Sequence, residues 1–272
     1  MVDCVGLRIE NIHQDQQEIL ISGLDQIGFE SFLQEENELV AYIPVDRYDA
    51  GKVKKFLTGH PFKYQLIQIE EKNWNEDWEK NHDPVLVGNE CFVRASFHDP
   101  VPGIKYDILI ESRMAFGTAH HETTRLMIER MLKMVIAGKK VLDMGCGTAI
   151  LAILAHKMGA REVLAVDTDE WAYKNARDNV AMNNAGSVRV VMGDIEVIHS
   201  KNFDLILSNI NRNILLKHLC SYYNFLKKGG ELVISGFYTG DIPAIQSQAV
   251  SFGFRDAGSS ALNDWVTLTF VK

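Results

Sequence analysis

A doubly wound α/β domain preceded by a small α+β domain is the fold class predicted by this 272-residue sequence. Three observations carry the prediction. The stretch Lys140 to Ile150 reads as strand, glycine-bearing turn and helix. Alternating strand and helix patterns continue from there almost to the C-terminus. The first seventy or so residues alternate in a different order, βαββαβ, which is that of a ferredoxin-like domain.

In that N-terminal part, Val5-Gly6-Leu7-Arg8-Ile9 alternates with period two, as a half-buried strand does. Gln14 to Ile27 places Ile19, Leu20, Leu24 and Ile27 on one helical face, and Gly28 stops it. Two strand candidates, Ser31–Gln34 and Leu39–Ile43, are joined by the turn-prone Glu35-Glu36-Asn37-Glu38. A helix over Arg47–Leu57 and an alternating strand over Tyr64–Ile69 complete the unit, taken as residues 1–72. Up to Lys72 there are 13 Asp and Glu against 7 Lys and Arg. This acidity reads either as an ordinary solvated surface or as a docking face for a basic protein that the domain recognises.

Residues 73–102 read as a linker region. Trp74 and Trp78 are four apart on one face of a short helix that Asp83-Pro84 ends, an arrangement more typical of packing than of ligand binding. Strand candidates Phe92–Phe97 and Tyr106–Ile110 lead into the second domain, residues 103–272. Met114 to Thr124 is a small-residue loop feeding a helix over Arg125–Val135, with Thr123 or Thr124 as candidate N-cap. The adjacent His120 and His121 lack the i, i+4 spacing of a zinc site.

The turn after Val141-Leu142 is the centre of the domain. Asp143 ends the strand, Gly145 and Gly147 follow, and an apolar helix runs from Ile150 to Met158. A dinucleotide site needs a third glycine and room for a pyrophosphate. Here Ile150 takes that glycine's place and Asp143 would repel the phosphates. A phosphate-free ligand carrying positive charge suits the acid, and S-adenosylmethionine, with its sulfonium and ammonium groups, is such a ligand. Asp167 ends the next strand, Glu162–Asp167, 22 residues after Gly145, near the offset at which an acid accepts ribose hydroxyls.

The remaining elements follow in order. A helix spans Asp169–Met182, a strand Val188–Met192 ends at Gly193-Asp194, and Asp204–Asn209 is another strand. Asn213–Leu226 is helical, Gly229-Gly230 makes a turn, and Glu231–Ser235 is a strand. A helix over Asp241–Val250, a loop, and a final strand over Trp265–Val271 returning as a hairpin close the chain. The result is a mostly parallel sheet covered on both faces, whose ligands sit beyond the strands' carboxyl ends. Asp143, Asp167, Asp194 and Asn209 all lie there.

Composition excludes some alternatives. A net charge of −8 argues against a generic nucleic-acid binder. Cys4, Cys91, Cys146 and Cys220 are far apart, which suggests neither zinc ligation nor a disulfide framework. Without a signal peptide or a long apolar run, the expected setting is the cytoplasm, and nothing demands more than a monomer.

Taken together, these residues resemble class I S-adenosylmethionine-dependent methyltransferases, and more specifically the PrmA family, which methylates protein eleven of the large ribosomal subunit. The family loop A-F-G-T-G-x-H-x-T-T aligns with Ala115–Thr124, its turn D-x-G-C-G-x-G with the stretch from Asp143, and its N-I-L motif with Asn209-Ile210. Ala119, Glu122 and Ala149 depart from the family's glycine, frequent proline and glycine, and Ser112-Arg113 stands where Pro-Gly is frequent. The resemblance implies a Rossmann-like, seven-stranded, mostly parallel sheet with an antiparallel C-terminal strand. It also implies methyl transfer from S-adenosylmethionine to lysine or N-terminal amines of a basic ribosomal protein.

By the same resemblance, Gly145 and Gly147 would line the cofactor with backbone, Asp143 would stand beside it, and Asp167 would hold the ribose. Thr124 would close over the methionine end, and Asn209 would sit beside the transferred methyl as the catalytic residue. Asp194 reads as an adenine-side group or as an exposed turn acid. His121 is a candidate base only if its loop closes over the site, and Cys146 reads as a packing residue. The competing readings are another acceptor (RNA, another protein or a small molecule), a nicotinamide-dependent dehydrogenase, and a cofactor-binding protein with little catalysis.

Overall fold

The computed structural model describes residues 4–272 except 11, 13, 26, 30, 36–37, 59–61, 69–82 and 112–116. Trp74, Trp78, Ser112-Arg113 and the loop residues Met114–Phe116 therefore lie outside the described residues. The chain divides into two compact units, 1–74 and 75–272.

The first unit runs β1 (Cys4–Glu10), α1 (Gln14–Asp25), β2 (Ser31–Glu35), β3 (Glu38–Pro44), α2 (Ala50–Leu57) and β4 (Lys63–Gln68). Its sheet has the order β2-β3-β1-β4 with every pair antiparallel. Leu7 and Ile9 from β1, Leu39, Ala41 and Ile43 from β3, Leu20 and Leu24 from α1, and Val53 and Leu57 from α2 form its core. Helix α2 begins three residues later than the pattern Arg47–Leu57 predicts. Val45–Arg47 is a 3₁₀ turn, and Asp49 caps the helix by accepting the Gly51 and Lys52 N–H groups at 2.8 and 3.1 Å.

The second unit opens with β5 (Val85–Val87), β6 (Cys91–Arg94) and β7 (Tyr106–Leu109), a three-stranded sheet. Val87, Cys91 and Val93, from the stretch expected to connect the domains, are buried in this unit's core. Strand β6 stops at Arg94, short of the expected Phe97, because the His98 ring closes a turn by accepting the Ala95 N–H at Nδ1.

Next come α3 (Glu122–Leu132), β8 (Lys140–Met144), α4 (Ile150–Lys157), β9 (Glu162–Asp167), α5 (Glu170–Met182) and β10 (Val188–Met192). They are followed by β11 (Phe203–Asn209), α6 (Arg212–Phe225), β12 (Leu226–Tyr238), α7 (Ile242–Ser251), β13 (Arg255–Leu262) and β14 (Trp265–Val271). The seven strands lie in the order β10-β9-β8-β11-β12-β14-β13, parallel except where β14 pairs β12 and β13. Val141 and Leu205 face one core with α3, α4 and α5, while Leu142 and Ile206 face another with α6 and α7. No helix among the described residues is long and apolar enough to cross a membrane.

Two expectations are corrected. Gly229-Gly230 does not separate a helix from a strand, because β12 runs through both glycines while Lys272 pairs with them through backbone hydrogen bonds. The segment read as a loop before Trp265 contains strand β13. Its residues are almost all exposed, so the β14 ladder rather than burial holds it in the sheet.

Strand β7 pairs with β6 on one side, and it and the residues after it are also held by asparagine side chains of α5 and its C-cap. Asn183 accepts the Leu109 N–H at 3.0 Å and donates to the Leu109 carbonyl at 2.7 Å. Asn179 does the same with Glu111, at 3.0 and 3.2 Å, and Asn175 donates to the Glu111 carbonyl at 2.7 Å. Four residues of helix rise about 6 Å and two residues of strand about 6.6 Å, so asparagines at i and i+4 meet alternate residues of an extended chain.

Candidate active site

The chain leaves β8 for β9 and β10 on one side and returns through β11 and β12 on the other, so the order reverses between β8 and β11. Open α/β sheets bind ligands at such a switch point. Met144 pairs with Ser208 there, and Asn209 is one step further along, beside the turn that Gly145 begins.

The turn is closed by its own hydrogen bonds. Gly145 and Cys146 both donate to the Val166 carbonyl, at 2.8 and 3.0 Å. Gly147 donates to Asp167 Oδ2 at 2.8 Å, and Ala149 to the Cys146 carbonyl at 2.8 Å. Ala152, in the first turn of α4, donates to Asp143 Oδ2 at 3.0 Å. The N–H groups that a pyrophosphate would use are thus largely taken by carboxylates and carbonyls. Gly145 has φ +72°, and a Cβ there would overlap Ile210 Cγ2, so only glycine fits.

Asp143 is fully buried, and burial, reinforced by the negative charge of Asp167, pushes its carboxyl up to about 7 against the pull of the Ala152 hydrogen bond. Cys146 is buried beside both acids and its thiol is pushed well up, chiefly by burial. It is therefore a packing residue in the core that includes Ala149 and Ile150. Asp167 holds the end of β9 by accepting Gly147 N–H on one oxygen and Asp169 N–H, at 3.0 Å, on the other. Each oxygen keeps a second lone pair for a ligand hydroxyl. Asp194, at the end of β10, accepts the N–H of Ile195 at 2.8 Å.

Helix α3 supplies the opposite wall. It begins at Glu122, earlier than the expected Arg125, and its N-cap is His121, whose Nδ1 accepts the Thr123 N–H at 3.3 Å. Thr123 and Thr124 are therefore inside the first turn and are not the cap. Their hydroxyls meet Asn209 instead, whose Nδ2 lies 3.2 Å from Thr123 Oγ1 and 3.5 Å from Thr124 Oγ1. Thr123 Oγ1 is also 2.9 Å from His121 Nδ1. Because that nitrogen accepts the Thr123 N–H, it is the unprotonated one, so the Thr123 hydroxyl donates to it and accepts from Asn209. This fixes the amide with its NH₂ toward α3. Asn209 Oδ1 is buried and has no hydrogen-bond partner among the described residues. A buried acceptor left unmatched costs about 1–3 kcal/mol, and a ligand donor would recover it.

Ala119 and Ala149 occupy left-handed conformations, both with φ +64°, and both are fully buried. Thr148 Oγ1 donates to the Gly117 carbonyl at 2.6 Å, joining the α3 loop to the β8 turn. Asn179 donates to the Thr148 carbonyl at 3.0 Å, so the asparagine ladder also reaches the turn. The sequence reading missed that ladder. Its signal was asparagines at i, i+4 spacing, two of them in a helix interior, where asparagine is a poor helix former, and the third at its C-cap.

Comparison with known proteins agrees with this geometry. The family described as ribosomal protein L11 methyltransferase (PrmA) matches residues 1–272. A ribosomal protein L11 methyltransferase of Porphyromonas gingivalis is 44% identical over 260 residues, covering 93% of this chain and 90% of that protein. Its counterpart in Bacteroides fragilis is 42% identical over 261 residues, with 93% of each covered. Among solved structures, the ribosomal protein L11 methylase of Lactobacillus delbrueckii subsp. bulgaricus superposes with a TM-score of 0.65 at 26% identity, covering 70% of this chain and 98% of that one. The chain belongs to the ribosomal protein L11 methyltransferase (PrmA) family.

Proposed function

We propose that this protein transfers methyl groups from S-adenosylmethionine to lysine or N-terminal amines of ribosomal protein L11, acting as a monomer in the cytoplasm. The observation that carries the reading is Asn209, an oriented amide whose buried oxygen has no partner among the described residues, at the switch point of the sheet. An amine has N–H groups to offer that oxygen.

The residues present fit the cofactor. The turn spends its N–H groups internally and sets Asp143 and Asp167 beside them, which suits a cationic nucleoside and opposes a pyrophosphate or a nicotinamide dinucleotide. When bound, S-adenosylmethionine supplies an electrophilic methyl carbon on a positive sulfonium. Asp167 would accept the ribose hydroxyls, and Gly145 and Gly147 would let backbone approach the ligand. Asp143 would add negative charge to the site, Asp194 would serve the adenine side, and Thr124 the methionine end.

Asn209 would accept a hydrogen bond from the acceptor amine and aim its lone pair. Free lysine has a pKa near ~10.4, so the site must receive the neutral amine, and a desolvated site favours that form. The contribution of the protein is then orientation and exclusion of water. His121 serves as helix cap and holds Thr123; its Nδ1 is already engaged by that residue. Residues 1–74 would recognise the protein substrate, their acidic surplus suiting a ribosomal protein that binds RNA through positive charge.

The test is methyl transfer from labelled S-adenosylmethionine into undermodified ribosomal proteins, resolved by mass spectrometry. Label on L11 amines is the expected result. Label only elsewhere, with cofactor bound, would assign a different acceptor.

A further inference from the structure

Behind the site, four polar side chains form a continuous chain through the core shared with α6. Asp194 Oδ1 lies 3.3 Å from His218 Nε2, His218 Nδ1 lies 3.3 Å from Tyr222 Oη, and Tyr222 Oη lies 3.0 Å from Ser208 Oγ. Tyr222 and Ser208 are fully buried and His218 is nearly so, whereas Asp194 is partly exposed at the mouth. His218 and Tyr222 are one helical turn apart on the face of α6 that also buries Leu215 and Leu219.

One direction of donation satisfies every group. The Ser208 hydroxyl donates to Tyr222, the Tyr222 hydroxyl donates to His218 Nδ1, and the His218 Nε2–H donates to Asp194. Burial, together with the negative charges of Asp194 and Asp143, holds the Tyr222 phenol far above its ordinary range against the hydrogen bond from Ser208, so it stays protonated. The chain starts at the residue before Asn209 and ends on the carboxylate at the end of β10. It therefore joins the amine side of the site to the side where the ligand base would lie.

From this we propose that His218 is a positioning residue. It clamps one oxygen of Asp194, together with the Ile195 N–H, so that the other oxygen faces the ligand in a fixed orientation, and Tyr222 holds the imidazole in the tautomer that can do so. This rests on the reading of Asp194 as a cofactor-side group. A polar chain that merely satisfied its own buried atoms would affect folding stability when broken but would leave the affinity of the folded protein unchanged.

The experiment is a double-mutant cycle on the full-length chain, with S-adenosylhomocysteine binding read by calorimetry and folding monitored by thermal unfolding. Asp194→Ala is expected to weaken binding about tenfold and His218→Leu about fivefold. The double variant should bind no more weakly than Asp194→Ala alone, because the histidine acts through the acid. His218→Gln, which keeps a donor, should recover part of the loss and guards against a leucine variant that fails to fold. If the two losses multiply, or if His218→Leu and His218→Gln both bind like the wild type, the clamp does not exist. If Asp194→Ala binds normally, Asp194 is not a ligand group and the proposal falls with it. If the wild-type chain itself binds no S-adenosylhomocysteine, the cofactor reading fails first and removes the basis of the clamp.

Discussion

Asn209, at the end of β11, donates through Nδ2 to the hydroxyl of Thr123, 86 residues away in the first turn of α3. One residue fixes how the other is turned. Asn209→Ala removes the acceptor itself and is expected to lower the rate of methyl transfer about 10- to 100-fold, from about 1–3 kcal/mol of lost hydrogen bonding, with cofactor affinity little changed. Thr123→Val leaves the acceptor but frees its orientation, and should cost about fivefold. Single-turnover transfer at saturating cofactor separates these effects, and a Thr123→Val variant as slow as Asn209→Ala would show that more than orientation was lost.

Asp167→Ala should weaken S-adenosylmethionine binding by about 1–3 kcal/mol through lost charge-assisted hydrogen bonds. The same change unties Gly147, so some loss of stability accompanies it. Titration calorimetry reads the affinity directly, and an unchanged value would remove Asp167 from the ribose role.

Asp143 makes both stability and binding depend on pH. Its carboxyl sits at about 7 in the folded protein against 3.8 for the ordinary group, chiefly through burial. Between those values the folded chain binds the extra proton, so this group's contribution to stability falls as pH rises from about 4 to about 7 and then levels off. A cationic ligand favours the ionised acid, so affinity for S-adenosylmethionine should rise as pH climbs through 7. Asp143→Asn keeps an acceptor for Ala152 and should flatten both profiles. Calorimetry and thermal unfolding at pH 5.5 to 8.5 would show it, and a wild-type affinity flat over that interval would contradict this account.

Ala119 and Ala149 stand where the family has glycine, and both adopt φ +64°. The left-handed conformation costs about 1–2 kcal/mol for a residue bearing a Cβ. Against this, each buried methyl contributes about 0.8 kcal/mol, and alanine has less chain entropy to lose on folding than glycine, by about 0.4–1 kcal/mol. The opposing effects nearly cancel, so Ala119→Gly and Ala149→Gly should each change unfolding stability by less than about 1 kcal/mol. Denaturant unfolding tests it; a gain above 2 kcal/mol in either variant would mean that strain dominates. Glu122, the third departure, occupies the first residue of α3, where proline and acidic side chains are both well tolerated.

Removal of residues 1–74 should leave cofactor binding in place and abolish transfer to the ribosomal protein. The two units have separate cores, so the second loses none of its own packing. Full activity of the truncated chain on the protein substrate would locate recognition elsewhere.

What the sequence disclosed, and what it hid, follow from where the physical signal lies. Strands β8, β9 and β11 are short apolar runs with Asp143, Asp167 and Asn209 at or next to their last residue, so periodicity and end residues located them together. Strand β13 carries no such signal, since Arg-Asp-Ala-Gly-Ser-Ser-Ala buries almost nothing and is held only by its pairing with the adjacent β14. The start of α3 was misplaced because His121 is an uncommon cap and two threonines beside it are common ones. The family resemblance pointed to Asn209, but the amide's orientation emerged only with Thr123 and His121 in space. Likewise, Ser208, Tyr222, His218 and Asp194 form a chain only when β11, α6 and the end of β10 are brought together.

The asparagine ladder also constrains how this part of the molecule can change over evolutionary time. Asn179 and Asn183 read the backbone of Glu111 and Leu109 by spacing alone, one in helical steps and the other in extended steps. Inserting or deleting a single residue on either side would put both contacts out of phase at once. Ile110 is buried in the core, but the ladder reads only peptide groups, so as far as it is concerned the side chains at 109 and 111 are free to vary. Length is not. Relatives that keep this device should therefore show substitutions here but no gaps, on the segment that leads into residues 112–116.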